Sequence, residues 1–267
     1  MTRFISFYSL LILLFSLSAP VLAQTETSGS PYHISWKRDL PYTLAGAAGV
    51  FGGYLIEENT DPVPLASLSR PELSSFDEGA INNESTKAKT FSDILAYGSL
   101  TAPLAIIAGR DNVGEAAKVG LLFTETMLIN YGITSLVKGA VRRPRPYTYQ
   151  LTDPDFPVQA YDRSSFPSAH TSNTAAATFF FGRVFADYHP DSKLRPYVWT
   201  LSAALPAVTG YLRIRAGQHF PTDVIAGYVV GASAGYLVPT LHKRPLAGKR
   251  LVIVPSGAGF YLSYSLE

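Results

Sequence analysis

The sequence predicts an all-α protein, a bundle of about six helices followed by a small C-terminal β-hairpin. Three observations lead to this prediction. Apolar runs of helical length recur along the chain, separated by polar or proline-containing breaks. Cysteine is absent, so the fold must rest on packing without disulfides, and cysteine redox chemistry is excluded. In the tail, from Arg250 to Leu266, a Pro-Ser-Gly turn separates two short runs of strand-forming residues.

Four segments follow one another along the 267 residues. The first carries Arg3, an apolar run and a small-residue pattern ending at Ala23, which is typical of a secretory signal peptide. The polar stretch from Glu57 to Lys89 is predicted to be a loop, either a lid over a site or a surface connection. The predicted segments are a signal peptide (1–23), an N-terminal helix and loop region (24–91), a main helical domain (92–243) and a tail with a possible hairpin (244–267).

Six apolar runs have the length and the boundaries expected of helices. Ser92 and Asp93 offer an N-cap before the second run, and the polar residues around Asn112 separate it from the third. In the last run a glycine recurs every four residues from Gly227 to Gly235, which predicts close contact with a neighbouring helix. The predicted helices are Leu40–Ile56, Ile94–Gly109, Val119–Val137, Thr171–Ala186, Tyr197–Leu212 and Val224–Leu241.

Cations cluster after the third predicted helix, where Lys138 ends the apolar pattern and the segment from Arg142 to Pro146 stops the helix. Lys138 and Arg145 supply the concentrated positive charge that a phosphate group needs. Two other interpretations stay open at this point, because basic residues also complement a helix dipole or flank a membrane segment.

The second motif is Pro167-Ser168-Ala169-His170, directly before a run of helix-forming residues. Unpaired backbone N–H groups at a helix start bind anions, and the Ser168 hydroxyl can add a donor. The alternative is an ordinary N-cap serine followed by a surface histidine.

The third motif places His219 just before a helix that begins at Pro221, with Asp223 four residues after the histidine. One helical turn can bring this carboxylate back to the imidazole, fix its tautomer and leave the other ring nitrogen as a nucleophile. Arg213 adds a guanidinium fork suited to phosphate oxygens. A solvent-exposed histidine–aspartate pair without further role is the alternative.

Taken together, the ordered motifs Lys-x6-Arg-Pro, Pro-Ser-x-His and Arg-x5-His-x3-Asp run from Lys138 to Asp223. This pattern resembles the type 2 phosphatidic acid phosphatase and vanadium haloperoxidase superfamily, and the resemblance implies its helical bundle fold. The chain departs from the family pattern at Ala169, where glycine is frequent, and at Leu212, where a serine often supplies an auxiliary phosphate contact.

The resemblance implies that His219 attacks phosphorus and forms a phosphohistidine, that Asp223 orients it, and that His170 protonates the leaving alkoxide. It implies phosphate binding by Lys138, Arg145, Ser168, Ala169 and Arg213. Neither a metal ion nor another cofactor is expected, and the sequence contains no His-Glu-x-x-His motif.

The placement of this chemistry depends on the helices. Mean hydropathy is +0.12, and Val224–Leu241 is the predicted helix that is both long and free of charge. We expect a bundle embedded in or resting on a membrane of the cell envelope, with its active site on the exported side; a soluble periplasmic acid phosphatase is the rival. Net charge of +2 predicts no nucleic-acid partner.

Expected substrates are phosphorylated lipids, such as phosphatidate, phosphatidylglycerophosphate, polyprenyl diphosphate or lipopolysaccharide anchors, or a small soluble phosphomonoester. Near the first motif, Arg142, Arg143, Tyr147 and Tyr149 either hold an anionic headgroup or anchor the protein at the interface.

Two further functions stay open. A haloperoxidase of the same superfamily holds vanadate in much the same cradle, with His219 as the residue bonded to vanadium. An envelope protein without catalytic activity that uses the site for binding or assembly is the non-enzymatic alternative.

Overall fold

A computed structural model describes residues 30–68, 73–108, 112–244, 249–256 and 259–266, the last two ranges by their backbone. The architecture is an α-helical bundle with a C-terminal antiparallel hairpin, which confirms the predicted fold class. The predicted signal peptide, residues 1–23, lies outside the described residues.

The helices are α1 (Trp36–Glu58), α2 (Ser75–Glu78), α3 (Thr86–Ser99), α4 (Ala102–Ala108), α5 (Val113–Val141), α6 (Ala169–Tyr188), α7 (Arg195–Arg215) and α8 (Pro221–Leu241). Two short strands, β1 (Val63–Pro64) and β2 (Pro157–Val158), pair antiparallel. The hairpin consists of β3 (Lys249–Ser256) and β4 (Gly259–Leu266), which pair antiparallel with Lys249 opposite Leu266.

The sequence located the long helices within a few residues but misread the second one. The run Ile94–Gly109 belongs to two helices, α3 and α4, and α3 begins at Thr86. The N-cap prediction at Ser92-Asp93 is therefore wrong: the N-cap is Ser85, whose hydroxyl accepts a hydrogen bond from the Ala88 amide at 3.2 Å. The first turns of α3 were taken for a loop because lysine and threonine cover their exposed face.

Backbone contact between α6 and α8 organises the end of the bundle that carries the second and third motifs. Gly227, Gly231 and Gly235 face α6, and a Cβ atom added to them would lie 2.4, 2.0 and 2.4 Å from the backbone oxygens of Ser168, Ser172 and Ala176. No side chain fits in these gaps, so the predicted close approach is present. The start of α6, which carries the second motif, is thereby fixed against α8, which carries the third motif.

Polarity is distributed in an unusual way across the bundle. Large apolar side chains are exposed on its outer surface, while many hydroxyl and amide side chains are buried between the helices. The exposed set includes Leu44, Phe51, Ile94, Leu201, Val229 and Leu237. By length and composition, Thr86–Ile107 and Pro221–Leu241 are candidate membrane spans. An apolar exterior around a partly polar interior suits a lipid environment better than water.

Candidate active site

The three motifs meet at one end of the bundle, around a cavity of about 210 Å³. The residues come from the end of α5 and the segment after it, the N-cap and first turn of α6, the end of α7 and the segment that leads into the start of α8. Lys138, Arg145, Ala169, His170 and His219 border the cavity. The other three predicted site residues are buried in the wall behind it: Ser168, Arg213 and Asp223.

His219 is buried and held by one well-defined contact. Its Nδ1 lies 2.8 Å from the Ser165 backbone oxygen, which can only accept, so Nδ1 donates and the neutral ring presents the Nε2 lone pair. Arg145 Nη1 stands 3.4 Å from Nε2. Burial, followed by the nearby charges of Arg145 and Lys138, holds the pKa of His219 well below its usual range. The ring is therefore neutral near pH 7.

Asp223 is connected to His219 through Ser165. Its Oδ2 lies 3.7 Å from His219 Nδ1, beyond hydrogen-bond distance, and instead accepts from the Ser165 hydroxyl at 2.5 Å and the Phe220 amide at 2.8 Å. Ser165 also provides the carbonyl that binds His219. The Asp223 carboxylate therefore holds Ser165, and Ser165 in turn holds the imidazole ring. The direct contact expected from the spacing is replaced by this two-step connection.

Arg143 supports Asp223 from the other side. One guanidinium nitrogen donates to Asp223 Oδ1 at 2.5 Å and the other to Asp77 Oδ2 at 2.8 Å. Asp77, on α2, also accepts from the Thr222 amide at 3.1 Å. The segment predicted to be a lid or a surface connection therefore contains a buried anchor for the start of α8.

His170 is paired with a carboxylate that sequence analysis had assigned to a helix cap. Its Nε2 lies 2.9 Å from Asp93 Oδ1, and the same oxygen lies 3.1 Å from Arg213 Nη1. Burial lowers the pKa of His170 to about 4, although the Asp93 contact acts in the opposite direction. A bound phosphate dianion would add negative charge and raise this pKa.

The cations of the site are pre-oriented by backbone oxygens. Arg145 donates to Tyr161 O at 2.9 Å and to Gln218 O at 3.0 Å, and Lys138 Nζ donates to Ser164 O at 2.5 Å. Within the described part of the chain, Arg213 Nε is buried without a hydrogen-bond partner. Lys138, Arg145 and Arg213 share this end of the bundle with a neutral histidine, and burial, followed by the charge of Arg145, lowers the pKa of Lys138. A bound anion would favour the charged form of Lys138 and complete an environment complementary to its own charge.

At the start of α6, Ser168 is buried and its amide donates to the Asp223 backbone oxygen at 2.9 Å. Its hydroxyl lies 3.0 Å from the Thr171 hydroxyl. The amide of Ser168 is thus used in holding α6 to α8. The amides that follow it, from Ala169 onward, are those that an α-helix leaves without internal acceptors and that can face an anion.

The structure therefore brings all eight predicted site residues to one end of the fold, and the order and spacing of their motifs match a known family model. The match is to the PAP2 superfamily and covers residues 119–246. The chain belongs to the PAP2 superfamily. Among curated relatives, phosphatidylglycerophosphatase B of Bacillus subtilis is 31% identical over 157 residues, 56% of this chain and 71% of that protein.

Another relative is decaprenylphosphoryl-5-phosphoribose phosphatase of Mycobacterium tuberculosis, 32% identical over 114 residues, which are 42% of this chain and 55% of that protein. The chain thus spans about half the length of this relative. Among solved structures, a transmembrane PAP2-type phosphatidylglycerolphosphate phosphatase from Bacillus subtilis aligns over 86% of this chain and 94% of its own, with 18% identity and a TM-score of 0.37.

Several residues that shape the site were missed from the sequence. Arg143 was interpreted as a headgroup contact or an interfacial anchor, whereas it makes internal ion pairs with Asp77 and Asp223. Asp93 and Asp77 lie far before the first motif, which begins at Lys138. Ser165 acts on the ring through its backbone carbonyl, which any residue type possesses. The one available signal was the position of Arg143, a basic residue inside the first motif.

Proposed function

We propose that this protein is a metal- and cofactor-independent phosphatase that hydrolyses phosphomonoesters, chiefly lipid phosphates, through a phosphohistidine. One observation carries the proposal: the Nε2 lone pair of His219 lies beside Arg145 in a cradle of cations, because the Ser165 carbonyl holds Nδ1. This arrangement gives a nucleophile, an anion site and, in His170, a proton source around one cavity.

In the first step His219 Nε2 attacks phosphorus, the N–P bond forms and the bond from phosphorus to the ester oxygen breaks. Protonated His170 transfers its proton to the leaving oxygen, which departs as an alcohol. Asp93 stabilises the protonated form of His170 until this transfer, from 2.9 Å. The phosphoryl group is then bound to His219, and His170 is neutral.

In the second step water attacks the phosphorus and the N–P bond breaks. Neutral His170 accepts a proton from the water, so phosphate is released and both histidines return to their starting states. The acid of the first step is thus the base of the second.

Charge stabilisation comes from groups that are already in place before substrate binds. Lys138, Arg145 and Arg213 would bind the equatorial oxygens in the transition state, helped by the Ser168 hydroxyl and the Ala169 amide. Since backbone oxygens pre-orient Arg145 and Lys138, little reorganisation is needed during the reaction. Asp223 acts as a positioning residue through Ser165.

The substrate class follows from the cavity and the outer surface. Beyond the phosphate-binding residues, the cavity continues along Tyr54, Tyr97 and Leu100, which offer contact to an apolar group. The apolar exterior supports residence in a membrane of the cell envelope, and we place the active site on its exported side. Relatives are named for phosphatidylglycerophosphate and decaprenylphosphoryl substrates, which supports lipid phosphates over soluble esters.

The direct test is phosphate release by the purified full chain in detergent, with EDTA present, from phosphatidate, phosphatidylglycerophosphate, a polyprenyl phosphate and p-nitrophenyl phosphate. We expect turnover of lipid esters, inhibition by vanadate, and an acid-labile, base-stable phosphoryl label on His219 after rapid quenching. Lipid turnover without such a label would contradict the covalent route. Absence of turnover together with halide oxidation by peroxide after vanadate loading would assign the site to haloperoxidase chemistry.

A further inference from the structure

A second cluster of ionisable side chains lies far from the phosphate site. Asp39 near the start of α1, Glu125 in α5 and His242 just after α8 place one ligand atom each within 4.8 Å of one another. All three are buried, with exposures of 4%, 1% and 1%. Along α5, Glu125 and Lys138 are separated by roughly 20 Å, at a rise of about 1.5 Å per residue. The cluster therefore has no contact with the proposed chemistry.

The His242 ring has the orientation of a metal ligand. Its Nδ1 lies 2.7 Å from the Val238 backbone oxygen and donates to it, so Nε2 points towards the two carboxylates and, in the neutral ring, would present a lone pair there. Nε2 is 3.0 Å from Asp39 Oδ1 and 3.4 Å from Glu125 Oε2. Within the described residues, neither Nε2 nor Glu125 Oε2 has a hydrogen-bond partner. The atoms converge without the alignment that an N–H···O bond requires.

The two carboxylates of the cluster are not balanced by Arg38 alone and call for another positive charge. Arg38 Nε pairs with Asp39 Oδ1 at 2.7 Å and accounts for one carboxylate. Glu125, buried in the interior of α5, faces His242 Nε2; although burial acts in the opposite direction, Glu125 and Asp39 raise the pKa of His242. A buried carboxylate is costly unless a positive charge joins it. A proton on His242 or a metal ion would satisfy this demand, and the lack of an aligned hydrogen bond favours the metal.

We propose that Asp39, Glu125 and His242 bind a divalent transition-metal ion, with zinc as the ion of best fit. Imidazole nitrogen and carboxylate oxygen bind zinc at about 2.0–2.2 Å. Two such ligands about 90–110° apart are separated by about 2.9–3.4 Å, which agrees with the separations of 3.0 and 3.4 Å found here. The ion would join the start of α1 to α5 and to the end of α8 as a structural link.

This proposal departs from the sequence expectation of no metal. That expectation came from the family resemblance and from the absence of a local metal-binding motif, and local spacing cannot reveal ligands from three distant parts of the chain. The site is also independent of the proposed phosphatase activity, so either proposal can fail while the other holds.

The test uses the full chain in detergent, stripped with EDTA and then loaded with Zn²⁺ or Co²⁺. We expect one equivalent of zinc to remain after gel filtration, with X-ray absorption showing one imidazole and oxygen ligands at about 2.0–2.1 Å. Zinc should raise Tm by about 5–10 °C relative to the stripped protein. Bound Co²⁺ should show perturbed d–d absorption that excess Zn²⁺ removes.

Variants locate the ion. Glu125→Gln and His242→Gln should lose the zinc, whereas Glu58→Gln and His33→Gln, at exposed positions, should keep it. Equal zinc content in His242→Gln and His33→Gln would overturn the proposal. So would a wild-type protein that retains no zinc after loading, since the cluster would then be held together by a protonated His242. The wild-type spectra decide the question even if Glu125→Gln does not fold.

Discussion

His219 and His242 lie at opposite ends of α8 and are held in the same way. Each ring donates from Nδ1 to a backbone oxygen, at 2.8 Å to Ser165 and at 2.7 Å to Val238, and each is buried. Their surroundings are opposite in sign. His219 Nε2 faces the guanidinium of Arg145, whereas His242 Nε2 faces the carboxylates of Asp39 and Glu125.

The comparison shows that the residue type and its tautomer do not determine what an imidazole does. Near cations, a neutral Nε2 lone pair is an available nucleophile for the phosphorus of a bound anion. Near carboxylates, the same lone pair is one ligand of a cation site. The neighbouring charges, contributed by distant parts of the chain, make this distinction.

The largest expected effect comes from removing the imidazole of His219, the proposed nucleophile. His219→Ala should lower kcat by at least about 10⁴-fold, because the covalent route depends on Nε2. His33→Ala, at an exposed position, is the matched control and should retain wild-type turnover. Phosphate release at saturating lipid phosphate measures both. Activity of His219→Ala within tenfold of wild type would mean that another group attacks phosphorus.

Changing the charge beside His219 should have the next largest effect. Arg145→Ala removes a pre-oriented donor, and we expect kcat/KM to fall by about 10²–10³-fold, the equivalent of about 3–4 kcal/mol. Arg195→Ala, which truncates an exposed arginine, controls for the change in net charge. Steady-state kinetics with thermal unfolding curves separates catalysis from stability. An Arg145→Ala enzyme as active as Arg195→Ala would remove this cation from the mechanism.

Asp93 offers a smaller, pH-dependent test of the proton source. Because burial lowers the pKa of His170 to about 4, the protonated acid is lost as pH rises above that value in the free protein. Bound phosphate raises this pKa, so the descending limb of kcat should lie at higher pH than that of kcat/KM. Asp93→Asn removes a partner that favours the protonated ring.

We therefore expect Asp93→Asn to move the descending limbs to lower pH by about one unit. The pH profiles of the wild type and of Asp93→Asn are measured with the same substrate, so ionisation of the substrate affects both proteins equally. Unchanged limbs in Asp93→Asn would show that His170 does not provide the proton.

The smallest effect concerns α8, which separates the two histidines. Gly231→Ala inserts a methyl group where a Cβ would lie 2.0 Å from Ser172 O, and it should destabilise the fold by about 1–3 kcal/mol. Gly120→Ala, in α5 with no atom within 4 Å of the added Cβ, should stabilise it by about 0.5–1 kcal/mol. Denaturant unfolding of both variants checks the difference in sign. Equal effects would mean that α6 and α8 are not in backbone contact.

The sequence predicted the long helices and the eight site residues because both depend on local patterns. Apolar periodicity defines a helix, and each motif lies within a dozen residues. The contacts that set the state of those residues are non-local. Asp93 reaches His170 and Asp77 reaches Arg143 only after folding, and no spacing links them beforehand.

Non-local contacts also explain why the direct contact predicted between Asp223 and His219 is not found. The four-residue spacing to Asp223 would allow a direct contact, but Ser165 lies between the two side chains. Its hydroxyl donates to Asp223, and its backbone oxygen accepts from His219 Nδ1. Because every residue has a backbone carbonyl, the residue types in the sequence do not reveal this contact. The cluster of Asp39, Glu125 and His242 escaped prediction for the related reason that its members come from three distant parts of the chain.

The glycine contact between α6 and α8 also bears on which parts of the chain can contact the substrate. The three glycines are packed against α6 and are not among the residues that border the cavity, which include Tyr54 of α1 and Tyr97 of α3. Both tyrosines precede residue 119, where the family match begins. Selectivity for the group that carries the phosphate can therefore diverge in evolution while the reaction machinery stays constant.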